Sequence, residues 1–349
     1  MKKILTIVLS LILYALVIFV ILDKTNTIDV KIIKKEKSED EYINNGLTLS
    51  DANLSNSNGK EDKFYYNQLD ETAKIIYDKL VENKENLKSG TAQIEFTKKE
   101  FDSLLGKSDG LNILSNEYQN AVDALRYDNV EFYYVDFSKM ILKTITYTRG
   151  RDGRDVSYKV YLACNENEAN YLDESITKDD INAQLDELEK KADEILQGVQ
   201  GSNYKKIQYI HNWLIDNIKY DTTYSKPNTR NIYGALISGE VVCEGYAKSF
   251  KYLLDKLDIP CILVSGEAVN SEGKRENHMW NYVKINEIWY AVDVTWDDPI
   301  ILNNGELNKE NRYKYFCQGD NIDSNHFISN KITTNGQEFE YPELYHKEQ

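Results

Sequence analysis

From Cys243 onward the apolar residues change period once, and that change restricts the fold. Tyr246, Ala247, Phe250, Leu253, Leu254 and Leu257 fall at helical spacing, and Ile259-Pro260 ends the pattern. Three runs then read as strands: Cys261 to Ala268, His278 to Ile285, and Ile288 to Val294. The last two are joined as a hairpin over Asn286-Glu287. A helix with a strong buried face followed by antiparallel strands makes this half of the chain α+β.

Three residues in this stretch suit one reaction. Cys243 opens the helix, where unpaired backbone N–H groups carry about half a positive charge. Such a site favours the thiolate, and neighbouring N–H groups can receive an oxyanion. Counting outward from the 286–287 turn, position 278 faces 295 and position 280 faces 293, which puts Asp293 a diagonal step from His278. A carboxylate there would orient the imidazole and stabilise its protonated form. His278 would take the thiol proton and return one to a leaving amine. A cysteine or histidine alone is more often structural, and spacing leaves both readings open. Asp293 between Val292 and Val294 is the odder residue, because a carboxylate in a buried strand needs a partner.

Upstream, Leu69, Ala73, Ile76 and Leu80 recur at helical spacing, Thr97-x-x-Glu100 is a capping box, and Asn116 to Tyr127 predicts another helix. Val130 to Phe137, Ile141 to Tyr147 and Val156 to Ala163 read as strands, the latter two a hairpin around Asp152-Gly153. Thr177-x-x-Asp180 starts a long amphipathic helix carrying Ile181, Leu188 and Ile195. Ser202 can cap the next helix, which holds Ile207, Ile210 and Leu214, and a short helix near 231–238 precedes the cysteine. His211 reads as structural, and His326 as a loop histidine after Asp320 to Asn325 that does not line a groove. Trp280, Trp289 and Trp296 read as core, one of them a possible groove wall.

At the amino terminus, Ile4 to Leu22 contains no charge and spans about 28 Å as a helix, enough to cross the hydrocarbon region. No small-residue cleavage site follows. Residues 1–24 are therefore expected to be a transmembrane signal-anchor, and the polar 25–63 a flexible stalk. Lys2 and Lys3 favour a cytoplasmic start, which leaves the bulk of the chain extracytoplasmic at the cell membrane. The balance of 57 acidic against 42 basic side chains argues against nucleic acid as a partner. Of the four cysteines, Cys164 and Cys261 read as small buried hydrophobes, and a Cys243–Cys261 disulfide would extinguish the nucleophile. No metal or cofactor site is evident: there is no C-x-x-C pair and no calcium-loop spacing.

Taken together, Cys243-x-Gly245-Tyr246-Ala247, His278-x-Trp280-Asn281 and Trp289-Tyr290-x-x-Asp293-x-Thr295-Trp296 resemble the transglutaminase-like superfamily, which shares its core with papain-type cysteine proteases. The likeness runs from about Phe64 to His326, with 124–132 and 315–326 similar to flanking parts of bacterial, membrane-anchored members. Val130, Glu287 and Ala291 depart from the usual residues, and none of them is in the triad. The resemblance implies a papain-like transglutaminase core over 175–349 behind a smaller α+β domain over 64–174. It also implies Cys243 as nucleophile, His278 as base and Asp293 as orienter, acting on a protein or peptide amide. Acyl transfer is the first expectation; a cell-envelope cysteine peptidase or amidase, or a non-catalytic binding module, is the alternative.

Overall fold

The computed structural model describes residues 63–97, 99–149, 155–270, 273–298 and 312–346. The expected anchor, the stalk up to residue 62 and the tip of the 149–155 connector lie outside them. Among the described residues no helix is long and apolar enough to cross a membrane.

Helix α1 (Glu71–Glu82) begins where the Asp70 carboxylate accepts from Ala73 N at 2.9 Å, and it buries the expected Ala73, Ile76 and Leu80. The short α2 (Lys84–Leu87), β1 (Ile94–Glu95) and α3 (Asp102–Leu105) follow. The capping box forms only in part: Glu100 accepts from Thr97 N at 2.7 Å, but the helix starts after Phe101. Helix α4 (Gly110–Asp128) starts earlier than Asn116 because Leu114 continues its buried stripe. The strand expected over Val130 to Phe137 is instead two 3-10 turns, Val130–Phe132 and Phe137–Lys139. Phe132 N bonds Asn129 O and Val135 N bonds Phe132 O, so among the described residues the segment pairs outward only at one bridge, Val135 with Leu172, where Asp136 N donates to Tyr171 O. Val130, Phe132, Tyr134 and Phe137 anchor it in the core.

Strands β2 (Met140–Arg149) and β3 (Asp155–Cys164) form the expected hairpin, and β1 adds to β3. Helices α5 (Lys178–Leu196) and α6 (Asn203–Asn217) come next, Ser202 capping the second by accepting from Lys205 N at 3.4 Å. Strands β4 (Lys219–Tyr220) and β5 (Glu240–Val241) pair in parallel and flank a π turn, Gly234–Ser238.

Helix α7 (Cys243–Asp255) then packs on a four-stranded antiparallel sheet of order β8-β7-β6-β9. Its strands are β6 (Cys261–Val269), β7 (Arg275–Ile285), β8 (Ile288–Val292) and β9 (His326–Ile328), with helix α8 (Val294–Asp297) after β8. Asn281 fixes this packing by donating to Ala247 O at 3.0 Å. Ile262, Val264, Trp280, Tyr282 and Ala291 form a buried cluster with Ile322, its Ile and Val side chains each contributing about 1.5–3 kcal/mol. The C-terminal segment returns to the earlier helices, Thr333 donating to Asp123 at 2.6 Å and Gln337 N to Asn120 at 2.8 Å.

Candidate active site

Cys243 is set by the loop before it. The buried Asp221 carboxylate accepts from Thr223 Oγ1 at 2.6 Å, Thr223 N at 2.9 Å, Lys226 N at 3.1 Å and Thr229 Oγ1 at 3.1 Å. The Thr223 hydroxyl, with the other donors, holds this carboxyl well below the usual range. The stapled loop presents Thr229 O to Val242 N at 2.9 Å, and the chain turns into α7 at the next residue. Gly245 is needed here by contact: a Cβ would lie 2.5 Å from Val241 Cβ. Gly245 and Tyr246 donate back to Val242 O, and Cys243 and Glu244, the first two residues of the helix, have N–H groups with no acceptor within it.

The hairpin delivers the other two residues. Pairing of Asn281 with Val292 through Ile285 with Ile288 is the register expected from the sequence. Strand β8 nevertheless stops at Val292, not Val294. Asp293 is the N-cap of α8, its Oδ1 accepting from Trp296 N at 3.2 Å. The turn frees Oδ2 to point at His278, whose Nε2 lies 2.7 Å away. With Nε2 committed to Asp293, Nδ1 is the ring nitrogen left to serve the Cys243 thiol, which lines the same cleft as His278. Burial opposes a charged imidazole, but the Asp293 carboxylate, its hydrogen bond and the thiol outweigh it and push the His278 pKa up to about 10. Burial likewise opposes a charged Asp293, and the two histidines outweigh it, holding the carboxyl well below its usual range. The structure thus brings Cys243, His278 and Asp293 together.

It adds a residue that the sequence reading set aside. His326, taken as a loop histidine, lies on β9 opposite Ala268 and is 1% exposed. Its Nε2 is 3.0 Å from the same Asp293 Oδ2, and its Nδ1 is 2.7 Å from Asn325 Oδ1. Trp280 and Trp296 pack against both imidazoles, with Trp296 4.7 Å from His326 and 5.1 Å from His278 between ring centroids. Trp296 is half-buried, and among the described residues no tryptophan lines the cleft. His278, Asp293 and His326 offer ligand atoms within 4.8 Å of one another; two hydrogen bonds to one carboxylate oxygen account fully for that spacing.

A second histidine–carboxylate pair lies one helical turn on. His211 Nε2 is 3.0 Å from Asp297 Oδ2, both fully buried. Arg312 Nε donates to Asn212 Oδ1 at 3.1 Å, which fixes that oxygen as an acceptor facing His211 Nδ1 at 3.2 Å. Nδ1 must therefore carry the proton. Burial pushes the His211 pKa down to about 3, so its Nε2 is an acceptor and Asp297 supplies the hydrogen. Asp297 is accordingly raised well above its ordinary value by burial, aided by the Asp293 charge.

The site opens into a cleft of about 710 Å³ lined by Cys243, His278, Glu244, Arg230, Arg275 and Phe327, among others. Glu244 is paired with Lys248 at 2.6 Å and Arg230 at 3.4 Å, and Arg275 with Glu267 at 2.7 Å. All four cysteines are free, so no Cys243–Cys261 bridge exists. Burial pushes the thiols of Cys164, Cys261 and Cys317 up, although Cys164 is only half-buried, not the core residue expected.

Residues 189–294, which include Cys243, His278 and Asp293, match the core of the transglutaminase-like superfamily, so the chain carries a domain of that type. Kyphoscoliosis peptidase of Mus musculus is 24% identical over 140 residues, 37% of this chain and 21% of the relative. The Homo sapiens protein is 24% identical over 127 residues, 34% and 19% respectively. The chain thus spans about a fifth of the length of these curated relatives. Among solved structures, one described as a TGase aligns at 15% identity and a TM-score of 0.30, over 49% of this chain and 48% of that one. The periplasmic domain of TgpA from Pseudomonas aeruginosa, bound to ethylmercury, aligns at 16% identity and a TM-score of 0.26, over 45% and 65%.

Proposed function

We propose that this protein is a thiol acyl-transfer enzyme that acts on a protein or peptide amide through a thioester, tethered to the outer face of the cell membrane by residues 4–22. The observation that carries the chemistry is His278, held by Asp293 Oδ2 at 2.7 Å, in a cleft open to solvent that Cys243 also lines. The Cys243 thiolate adds to the amide carbonyl, and the oxyanion is received by N–H groups at the start of α7. The imidazolium of His278 passes its proton to the leaving nitrogen as the C–N bond breaks, which leaves an S-acyl enzyme and a free amine or ammonia. An incoming amine or water then attacks the thioester, gives its proton to His278, and restores the thiolate–imidazolium pair. Asp293 holds the imidazole in this geometry throughout. The uncharged run 4–22 and Lys2-Lys3 support the tether and its orientation.

Peptide-level labelling with iodoacetamide tests the reading. Cys243 should react selectively over Cys164, Cys261 and Cys317, and His278→Ala should abolish that selectivity. A Cys243 no more reactive than Cys164 would end the enzymatic interpretation. Given labelling, incorporation of a fluorescent amine into protein marks transfer, and ammonia release without incorporation marks hydrolysis.

A further inference from the structure

We propose that His326 is a positioning residue that shares Asp293 Oδ2 with His278 and thereby limits how tightly the reacting imidazole holds its proton. The inference rests on the reading of Cys243, His278 and Asp293 as the reacting residues, and it adds a fourth. Two imidazole Nε2 atoms converge on one carboxylate oxygen, at 2.7 Å from β7 and 3.0 Å from β9. The other oxygen, Oδ1, is occupied by Trp296 N at 3.2 Å. Every donor the carboxylate accepts from draws on the same negative charge, so a hydrogen bond from His326 weakens the pull on His278. His326 can hold this place because the Asn325 side-chain amide meets its Nδ1 and reaches Tyr315 Oη, and Trp280 and Trp296 close on its ring. With the amide NH2 turned to Nδ1, the neutral ring donates its Nε2–H to Asp293.

The charged and titratable groups around this trio are Cys243 from α7, Asp297 with His211 behind α8, and Tyr315 and Asp323 from the segment before β9. Only His326 and His278 hydrogen-bond to Asp293 Oδ2 among the described side chains. Asp293 stays capped on α8 without His326, so removing this imidazole changes the charge available to His278 more than the place of the carboxylate.

The test is the titration of His278 itself, followed by NMR in the full-length chain carrying 13C at histidine Cε1. Four histidines give four resonances, each assigned by a single substitution. His326→Leu should raise the His278 midpoint by about 0.5–1 pH unit. His326→Gln, whose Nε2 keeps a donor near the imidazole position, should leave it within ~0.2 pH unit. An unchanged or lowered midpoint in His326→Leu, or an equal rise in His326→Gln, overturns the inference. Should the leucine variant fail to fold, His326→Met and the glutamine variant carry the same comparison. A merely structural His326 would change the melting temperature in both variants and move neither midpoint. The titration needs no turnover, so a midpoint that rises in a protein whose Cys243 is unreactive would sink the enzymatic reading and leave the carboxylate-sharing intact.

Discussion

Replacing Asp293 by Asn isolates the charge that holds the candidate site together. His278 stands about 3.5 pH units above its ordinary 6.5, at about 10. At 1.36 kcal/mol per pH unit this is on the order of 5 kcal/mol in favour of the imidazolium. Asp293 supplies the largest favourable part, and burial acts the other way. In Asp293→Asn the imidazole is therefore neutral at pH 7, and the thiolate loses its counter-ion. Cys243 alkylation by iodoacetamide, followed by peptide mass spectrometry from pH 5 to 10, reads the change. Alkylation at pH 7 should fall roughly 100- to 1000-fold in the variant, because a neutral imidazole no longer assists the thiol. Stability should follow with a definite sign. Asp293, lowered in the fold, stabilises above its ordinary 3.8 and loses that contribution as pH falls through its folded value. His278, raised in the fold, stabilises fully below 6.5 and loses that contribution as pH climbs through about 10. The pair therefore stabilises most between those two ordinary values. A variant that alkylates at pH 7 within threefold of the wild type would refute the reasoning.

Gly245→Ala forces a Cβ to 2.5 Å from Val241 Cβ in the turn that carries Cys243; it should cost about 1–3 kcal/mol in urea unfolding and slow Cys243 labelling. Glu287→Gly should stabilise by about 0.5–1 kcal/mol in the same assay, because Asn286 and Glu287 hold φ of 51° and 65° in the hairpin turn and glycine removes the left-handed cost at one of them. Asp297→Asn should fold with a stability at pH 6.5 within about 1 kcal/mol of the wild type, since an amide can donate to His211 Nε2 and still accept from Tyr315 N.

What the sequence disclosed was local in kind. The helix start at Cys243 follows from apolar spacing, and the 278–293 diagonal follows from counting out from a two-residue turn, so both could be read without a fold. The place of Asp293 was legible, but its role as an N-cap was not. Val294, Thr295 and Trp296 suit a strand as well as a turn, and the choice is made by the hydrogen bond from Trp296 N. His326 could not be assigned because its partner is fixed by β9 pairing with β6, a register no periodicity announces across the intervening chain. Asp297 was hidden for the same reason, since its histidine arrives on α6. The Val130 to Phe137 segment failed in the opposite way: its apolar residues are buried, but among the described residues its neighbour offers only a single bridge, Val135 with Leu172, and the remaining N–H bonds turn back on the chain. Burial pattern identifies which side chains face the core; it does not supply the partner that makes a strand.

The two carboxylates of α8 explain one another. Asp293 is charged because two imidazoles meet it; a second charge one turn away, equally buried, would repel it with nothing opposite. Asp297 escapes by keeping its proton, and His211 lets it do so by offering a bare Nε2. This assignment has a consequence for proton counting. Below pH 6.5 the unfolded chain holds one proton of the pair, on His211, and the folded chain also holds one, on Asp297. Stability from the pair is thus flat from about pH 4 to 6.5. Above 6.5 the unfolded histidine releases its proton while folded Asp297 retains its own, so stability falls by about 1.4 kcal/mol per pH unit. Asp297→Asn removes the retained proton. Its pair contribution rises with pH up to 6.5 and is level beyond, so the difference between variant and wild type should grow in the variant's favour from pH 6.5 to 8.5. His278 titrates alike in both proteins and drops out of that difference. Urea midpoints that run parallel over this range would mean that Asp297 is ionised in the fold, and that the two charges on α8 are balanced by another route.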